Sequence, residues 1–135
     1  SVYSRKPMIM EVSHRGSILV VEDDRDIRES ISEVLEDAGY LVTQSANGAE
    51  ALARLRGADA PCAIVLDVMM PVMDGWQFRA EQQRDPALAS IPVMVLSATA
   101  HVQQAGQKLG ADGFLGKPVR LSALLDAIRP YLERR

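Results

Sequence analysis

The sequence of 135 residues has one cysteine, no surplus of basic residues and no long apolar run. The single thiol, Cys62, cannot form an internal disulfide or join a second thiolate in a metal site, which favours a free structural cysteine in a reducing compartment. Lys and Arg total 15 against 18 Asp and Glu, so the net charge is -3. Because this charge cannot neutralise a phosphate backbone, we expect no direct binding to nucleic acid.

Segments that would cross a membrane or direct export are also missing. No apolar stretch reaches the roughly 18 residues that span a bilayer. The first residues lack a basic region followed by an apolar one, so no signal peptide is indicated. We therefore expect a cytoplasmic protein without membrane insertion.

Length and composition fit one folded domain preceded by a short tail. Hydrophobic residues make up 47% and charged residues 24%, which is near the globular average and excludes global disorder. Residues 1–16 show no sustained hydrophobic period, so we predict a tail or linker over 1–16 and one domain over 17–135. Docking of the apolar residues within 8–12 on the domain is the alternative. The start at Ser1 leaves open whether the chain stands alone or belongs to a larger protein.

From Ser17 onward, short apolar runs rich in β-branched residues alternate with stretches of helical hydrophobic spacing. The run from Ile18 to Val21, closed by acidic residues, is typical of a strand buried on both faces. The pattern predicts five strands, at 18–21, 40–44, 63–66, 92–96 and 113–116. Each is followed by a predicted helix, and residues able to cap the first three helices are Asp24, Asn47 with Glu50, and Asp74.

The last two predicted helices each contain a residue that disfavours a helix. The fourth, over 101–109, contains Gly106, which costs about 1 kcal/mol relative to Ala, so we expect this helix to be weakly held. The fifth begins near Leu121, and we expect Pro130 to end or kink it. Strict alternation of strand and helix predicts right-handed crossovers, a doubly wound parallel α/β sheet and helices on both faces.

Polar side chains stand at the carboxyl ends of four of these strands. Glu22 and Asp23 follow the first strand, Asp67 the third, Ser97 the fourth and Lys117 the fifth. Singly, each could cap a helix or close a turn. In a parallel sheet these ends share one edge, where two carboxylates about 4 Å apart repel by about 4 kcal/mol at an effective dielectric near 20. A hard divalent cation with oxygen ligands would neutralise them, and Mg²⁺ is the expected ion.

This set of groups suits the attack of a carboxylate on phosphorus. Asp67 follows the central strand directly, so we predict it as the nucleophile that becomes an acyl phosphate. Glu22 and Asp23 would hold the metal. Ser97 and Lys117 would bind the phosphoryl oxygens as hydrogen-bond donor and point charge.

Over Ser17 to Leu132 the sequence resembles the receiver domains of two-component response regulators. The resemblance is carried, in order along the chain, by Glu22-Asp23, the segment from Leu66 to Gly75 (LDVMMPVMDG), Ser97-Ala98 and Lys117-Pro118. It implies a flavodoxin-like sheet of strand order 2-1-3-4-5. It also implies that Asp67 accepts phosphate from a phosphohistidine on a partner, either a sensor histidine kinase or a histidine phosphotransfer protein.

The same resemblance implies further roles. The main-chain carbonyl of Met69 would be a metal ligand, and Phe114 would be an aromatic switch residue that acts with Ser97 on the surface of the fourth helix, fifth strand and fifth helix. The domain would be a signalling phosphoacceptor with Mg²⁺-dependent self-phosphorylation and self-dephosphorylation, not an enzyme with another substrate. Gly113 departs from the acidic residue that one large transcription-factor subfamily uses for dimerisation. This departure and the end of the chain after the last helix do not suggest an attached DNA-binding domain.

Other classes of function fit the sequence less well. A flavin or nucleotide module would need a Gly-rich or Ser/Thr-rich phosphate loop after the first strand, where this chain has Glu22, Asp23 and Asp24. An aspartate-nucleophile phosphatase would need a second Asp where Met69 stands. A flavodoxin-like interaction or ligand-binding module that is never phosphorylated would leave the acidic cluster and Lys117 without a role, and is the remaining alternative.

Overall fold

The computed structural model describes residues 16–57, 60–98 and 102–132. Strands and helices alternate in the order β1 (Ser17–Val21), α1 (Arg25–Asp37), β2 (Leu41–Ser45), α2 (Gly48–Gly57), β3 (Ala63–Asp67), α3 (Gly75–Arg84), β4 (Val93–Ser97), α4 (Val102–Leu109), β5 (Gly113–Gly116) and α5 (Leu121–Leu132). The five predicted strands and five predicted helices are therefore confirmed. The predicted start of the fourth helix at residue 101 lies outside the described residues.

The five strands form one parallel sheet in the order β2-β1-β3-β4-β5, as the resemblance implied. The chain runs outward from β1 to one edge and then returns to build the other side from β3. The strand order thus reverses between β1 and β3, and the carboxyl ends of these two strands mark the crevice where such sheets bind ligands.

Two apolar cores, one on each face of the sheet, hold the helices in place. Helices α1 and α5 cover one face through Ile31, Leu35, Leu124 and Ile128. Helices α2, α3 and α4 cover the other, where Phe78 is fully buried. Every residue of β3 is buried, as expected of a central strand with both faces covered.

Three strands end one residue later than predicted: β2 at Ser45, β3 at Asp67 and β4 at Ser97. Asp67 pairs with Leu96, and Ser97 pairs with Gly116, so Asp67 and Ser97 are the last residues of β3 and β4 and do not follow them. The predicted end of β4 at residue 96 is wrong for this reason. Both side chains are consequently carried on hydrogen-bonded strand backbone instead of a loop.

The predicted caps are confirmed. Asp24 accepts a hydrogen bond from the Ile27 N–H at 3.1 Å and opens α1. Asp74 forms a complete capping box with Gln77 at the start of α3. At α2 the Asn47 side chain accepts from the Glu50 N–H at 2.9 Å, while the Glu50 carboxylate reaches back to the N–H of residue 46.

Of the two alternatives predicted for Pro130, an end or a kink of the helix, the end is wrong. Pro130 lies inside α5, which continues to Leu132. The hydrogen bond that the proline removes would have gone to the carbonyl of Asp126, an exposed residue where water can replace it.

A buried polar network, which the sequence did not predict, links α3 to the end of α4. The Arg79 guanidinium donates to the carbonyl oxygens of Leu109 at 2.8 Å and Gly110 at 2.7 Å, and to the Gln82 side chain at 2.7 Å. The Gln82 amide in turn donates to the carbonyls of Leu88 and Ile91. The C-terminal end of α4 is therefore fixed to α3 by side-chain hydrogen bonds.

Of the predicted tail, only Gly16 lies within the described residues. It is buried, and its carbonyl accepts the Leu41 N–H at 2.8 Å. The boundary between tail and domain stays a prediction. Among the helices of the described ranges, none has the length and apolar character needed to span a bilayer.

Candidate functional site

The carboxyl edge of the sheet brings together the acids and the lysine predicted from the sequence. Glu22 directly follows β1, Asp67 ends β3, and both side chains are buried. Lys117 directly follows β5, and its N–H donates to the Ser97 carbonyl at 2.9 Å, which ties the lysine to the end of β4. The sheet register therefore places Glu22, Asp67, Ser97 and Lys117 along the carboxyl edge of the sheet, with Glu22 and Asp67 on either side of the crevice.

Three carboxylates converge closely enough to share a cation. Oxygen atoms of Glu22, Asp23 and Asp67 all lie within 4.8 Å of one another. Asp23 is exposed, whereas the other two are buried, so the cluster opens to solvent on the Asp23 side. Carboxylate oxygens in this arrangement are the ligands that Mg²⁺ uses in proteins, together with carbonyl oxygens and water.

Lys117 supplies the positive charge in this cluster. Its Nζ lies 2.8 Å from Glu22 Oε1 and 3.2 Å from Asp67 Oδ1. Three carboxylates against one ammonium leave an excess of two negative charges, which one divalent cation would balance. Glu22 Oε1 makes this ion pair but no hydrogen bond. Among the described residues, it is the one buried side-chain oxygen or nitrogen that lacks a hydrogen bond. The residues present thus fit a divalent cation.

The pKa values at the site reflect this crowding. Burial, the negative charge of Glu22 and a hydrogen bond with Glu22 raise the pKa of Asp67 to about 7, and the opposing influence of Lys117 is weaker. Burial lowers the pKa of Lys117, but its contacts with Glu22 and Asp67 outweigh burial and leave this pKa above its usual value. Lys117 therefore stays charged near neutral pH, whereas the charged form of Asp67 is less favourable in the folded chain than it would be in water.

The loop that follows Asp67 is held by close backbone contacts at both ends. The Gly75 N–H donates to the Val68 carbonyl at 2.8 Å, and a Cβ on Gly75 would lie 2.8 Å from the Val68 Cα. The Gly48 N–H, at the start of α2, donates to the Met73 carbonyl at 2.9 Å, and a Cβ there would lie 2.8 Å from the Met73 side chain. Glycine is required at both positions because neither leaves room for a side chain.

Met69 lies on this loop, and its side chain is 70% exposed. Its N–H faces Asp67 Oδ1 at 3.4 Å. Val72, further along the loop, adopts a φ of 67°, a left-handed conformation that is strained for a β-branched residue, and is 80% exposed. No pattern in the sequence predicted this conformation.

Phe114 lies in β5, three residues before Lys117 and away from the carboxylates. It is partly buried and packs against the core on the α2, α3 and α4 face. Its ring lies against Gly106 of α4, where a Cβ would come within 2.5 Å of the ring. Gly106 is therefore required for the close approach of α4 and β5, which explains the glycine that the sequence marked only as a weak point.

Arg28 of α1 contacts the backbone of the acidic cluster and was missed by the sequence analysis. It donates to the Glu22 carbonyl at 2.9 Å and to the Gln44 side chain on β2 at 3.0 Å. The only available signal was a basic residue one turn after the Asp24 cap. That spacing is equally common for an exposed helix residue, so it could not identify the contact.

Comparison with known proteins gives consistent matches over the described domain. Residues 18–129 match the family described as the response regulator receiver domain. The chain is 44% identical over 119 residues to the response regulator MprA of Mycolicibacterium vanbaalenii, a match that covers 87% of this chain and 50% of that protein. The chain thus spans about half the length of the curated relatives it matches.

Solved structures with a similar fold include a chemotaxis response regulator and the receiver domain of a histidine kinase. The chemotaxis response regulator CheY4 of Vibrio cholerae is 35% identical with a TM-score of 0.78, and the match covers 86% of this chain and 98% of that one. The signal receiver domain of a signal transduction histidine kinase from Syntrophus aciditrophicus is 32% identical with a TM-score of 0.80, covering 89% and 94%.

Proposed function

This chain belongs to the response regulator receiver domains of two-component systems, and from that membership we propose that Asp67 is its phosphoryl acceptor. The observation that carries the proposal is the convergence of the Glu22, Asp23 and Asp67 carboxylates, with Lys117 in contact with two of them. Asp67 is favoured over the other acids because it ends the central strand and contacts the lysine. Glu22 also contacts the lysine, but it follows the neighbouring strand β1 and not the central strand. Asp23 is exposed.

The metal site of this proposal consists of Glu22, Asp23, Asp67 and the main-chain carbonyl of Met69. Bound Mg²⁺ supplies positive charge that lowers the repulsion between the acidic cluster and an incoming phosphoryl group. The support for this set is the acidic cluster itself, the Glu22 Oε1 atom, which pairs with Lys117 but makes no hydrogen bond, and a loop fixed by Gly48 and Gly75 that carries Met69.

Ser97 and Lys117 bind the transferred group in this proposal. A receiver domain interacts with a histidine kinase, and we infer that the phosphoryl donor is a phosphohistidine of such a kinase or of a phosphotransfer protein. A carboxylate oxygen of Asp67 forms the new bond to phosphorus as the bond from phosphorus to the imidazole nitrogen breaks, and the imidazole leaves with that electron pair. Hydrolysis of the acyl phosphate by water returns Asp67 and releases inorganic phosphate, so the domain also resets itself.

The output of the proposed switch is the surface formed by α4, β5 and α5. A phosphoryl group on Asp67 adds charge and acceptor oxygens beside Ser97, whose hydroxyl can move toward them and donate a hydrogen bond. That movement would free space beside β4 into which Phe114 rotates. The ring already contacts Gly106, so its rotation would repack α4 against β5.

Intact mass spectrometry with acetyl phosphate tests the acceptor residue. We expect one phosphoryl group on the wild-type chain in the presence of Mg²⁺, and none in Asp67→Asn or in excess chelator. Asp126→Asn, which alters an exposed carboxylate on α5, serves as the matched control and should be phosphorylated like the wild type. An adduct that persists in Asp67→Asn would exclude Asp67 as the acceptor.

Amide chemical shifts with and without a beryllofluoride phosphate mimic test the output surface. We expect changes around Phe114 and along residues 102–109, and we expect them to be reduced in Ser97→Ala. If Ser97→Ala shows the full set of changes, the proposed coupling through Ser97 is wrong.

The remaining expectations concern the whole protein. A cytoplasmic location, the absence of direct nucleic-acid binding and the boundary between tail and domain stay predictions. The downstream partner would be a protein that binds the surface of α4, β5 and α5.

A further inference from the structure

We propose that Arg28 is a positioning residue for the metal site, because it fixes the peptide that joins the two neighbouring acids Glu22 and Asp23. This inference rests on the proposed Mg²⁺ site. Among the described residues, Arg28 makes no ion pair or hydrogen bond with a side chain of the acidic cluster, so its effect would be exerted through the backbone that carries Glu22 and Asp23.

The guanidinium of Arg28 joins three elements of the fold. Its Nη1 donates to the Glu22 carbonyl at 2.9 Å, and its Nε donates to the Gln44 side chain on β2 at 3.0 Å. Arg28 itself lies in α1 and is partly buried. The side chain therefore ties the first turns of α1 to the end of β1 and to the neighbouring strand.

Fixing the Glu22 carbonyl also fixes the direction of Asp23. The peptide unit is planar, so the position of the Glu22 oxygen determines the plane that contains the Asp23 nitrogen and Cα. The other groups of Glu22 are held separately: its N–H donates to the Ser45 carbonyl at 3.1 Å, and its Oε2 accepts from the Asp24 N–H at 3.2 Å. Asp23, exposed between these anchored neighbours, depends on this peptide plane for its orientation toward Glu22 and Asp67.

Positioning and simple electrostatics make opposite predictions for the removal of Arg28. Arg28 brings a positive charge close to a site for a divalent cation, so through Coulomb repulsion alone its removal would tighten Mg²⁺ binding. If Arg28 positions Asp23, its removal weakens Mg²⁺ binding despite the lost repulsion. Residues that orient metal ligands in this way typically contribute about 10-fold to 100-fold in metal affinity.

Isothermal titration with Mg²⁺ distinguishes the two effects. In Arg28→Met we expect the dissociation constant for Mg²⁺ to rise by about 10-fold. Arg28→Lys keeps the charge but cannot reproduce the two-pronged contact, so it should also weaken binding. Arg25→Met is the matched control, because Arg25 has the same charge on the same helix but is exposed and contacts only Glu29 among the described side chains. Its removal should leave Mg²⁺ affinity unchanged or slightly increased.

A variant without any change of charge provides a second route. Gln44→Leu removes the partner of Arg28 on β2, so it should weaken Mg²⁺ binding in the same direction but by less. Thermal unfolding in chelator identifies variants that do not fold, and Gln44→Leu then replaces Arg28→Met as the deciding variant. A wild type that binds no Mg²⁺ contradicts the proposed metal site. A wild type that binds Mg²⁺, together with Arg28 variants that bind it equally well or more tightly, contradicts the positioning role alone.

Discussion

Replacement of Asp67 by Asn should stabilise the protein in the absence of a divalent cation. The Asp67 carboxylate is buried beside Glu22, and together these effects raise its pKa to about 7 despite the ion pair with Lys117. The charged form is therefore less favourable in the folded chain than in the unfolded one. An amide of similar shape removes this charge and the repulsion from Glu22, at the cost of the ion pair.

The size of the effect follows from the pKa. A pKa that moves from 3.8 to about 7 corresponds to an upper limit of about 4 kcal/mol, since each unit is worth about 1.36 kcal/mol. The variant also loses the ion pair that Asp67 makes with Lys117, which offsets part of this gain. We therefore expect Asp67→Asn to raise the free energy of unfolding by about 2 kcal/mol at pH 8.

The pH dependence has a definite sign. A carboxyl group with a higher pKa in the folded state binds more protons when folded, at any pH between the unfolded and folded pKa values. The stability of the wild type in chelator should therefore fall as the pH rises from about 4 to about 7, and this fall should be absent in Asp67→Asn. The advantage of the variant is consequently largest at pH 8 and small at pH 5.

Urea unfolding in chelator at pH 5 and pH 8 measures both effects. Asp126→Asn, an exposed carboxylate on α5, is the control and should change stability by less than about 0.5 kcal/mol at either pH. Added Mg²⁺ should stabilise the wild type at pH 8 through binding to the folded state and should stabilise Asp67→Asn less. If Asp67→Asn is less stable than the wild type in chelator at pH 8, the electrostatic reasoning is refuted.

Three further substitutions test packing and backbone strain, each by urea unfolding. Val72→Gly should stabilise the chain by about 1 kcal/mol, because φ is 67° at Val72; no gain would contradict a strained loop. Gly106→Ala should destabilise by about 1 to 3 kcal/mol, since the added Cβ would meet the Phe114 ring, although helix propensity alone predicts a gain of about 1 kcal/mol. Arg79→Met should cost about 2 kcal/mol, because it leaves the buried Leu109 carbonyl without its donor; a neutral result would show that water replaces the guanidinium.

The fold and the acidic cluster could be predicted because both follow from local patterns. Short β-branched runs alternating with helical spacing define a parallel sheet, and a parallel sheet places all of its strand ends on one edge. The proximity of Glu22, Asp67 and Lys117 could therefore be predicted from the order of the strands along the chain alone. The ends of the strands were predicted less well. Ser97 belongs to β4 because it pairs with Gly116, and this pairing depends on β5, which begins 16 residues later in the chain.

The supporting contacts could not be predicted, because each depends on residues that are distant in sequence or on the exact approach of two elements. Arg79 donates to a carbonyl 30 residues away, and Arg28 to a side chain 16 residues away. Gly106 appeared as a defect in a helix until the position of the Phe114 ring gave the reason for it. Sequence patterns identify which groups meet at the edge, whereas these contacts determine how firmly they are held.

The charge arrangement would link cation binding to the proposed phosphorylation of Asp67. Lys117 Nζ contacts Glu22 Oε1 and Asp67 Oδ1 simultaneously, so a phosphoryl group on Asp67 would compete with Glu22 for the same ammonium. If Lys117 turned toward the phosphoryl oxygens, Glu22 Oε1 would lose its ion pair, and it makes no hydrogen bond that could compensate. Within the described residues, Glu22 would keep only the hydrogen bond from the Asp24 N–H to its Oε2, and a buried carboxylate without an ion pair is unfavourable by several kcal/mol unless it is neutralised. A divalent cation held by the acidic cluster would provide that neutralisation, so the phosphorylated state should depend on the cation more strongly than the resting state does.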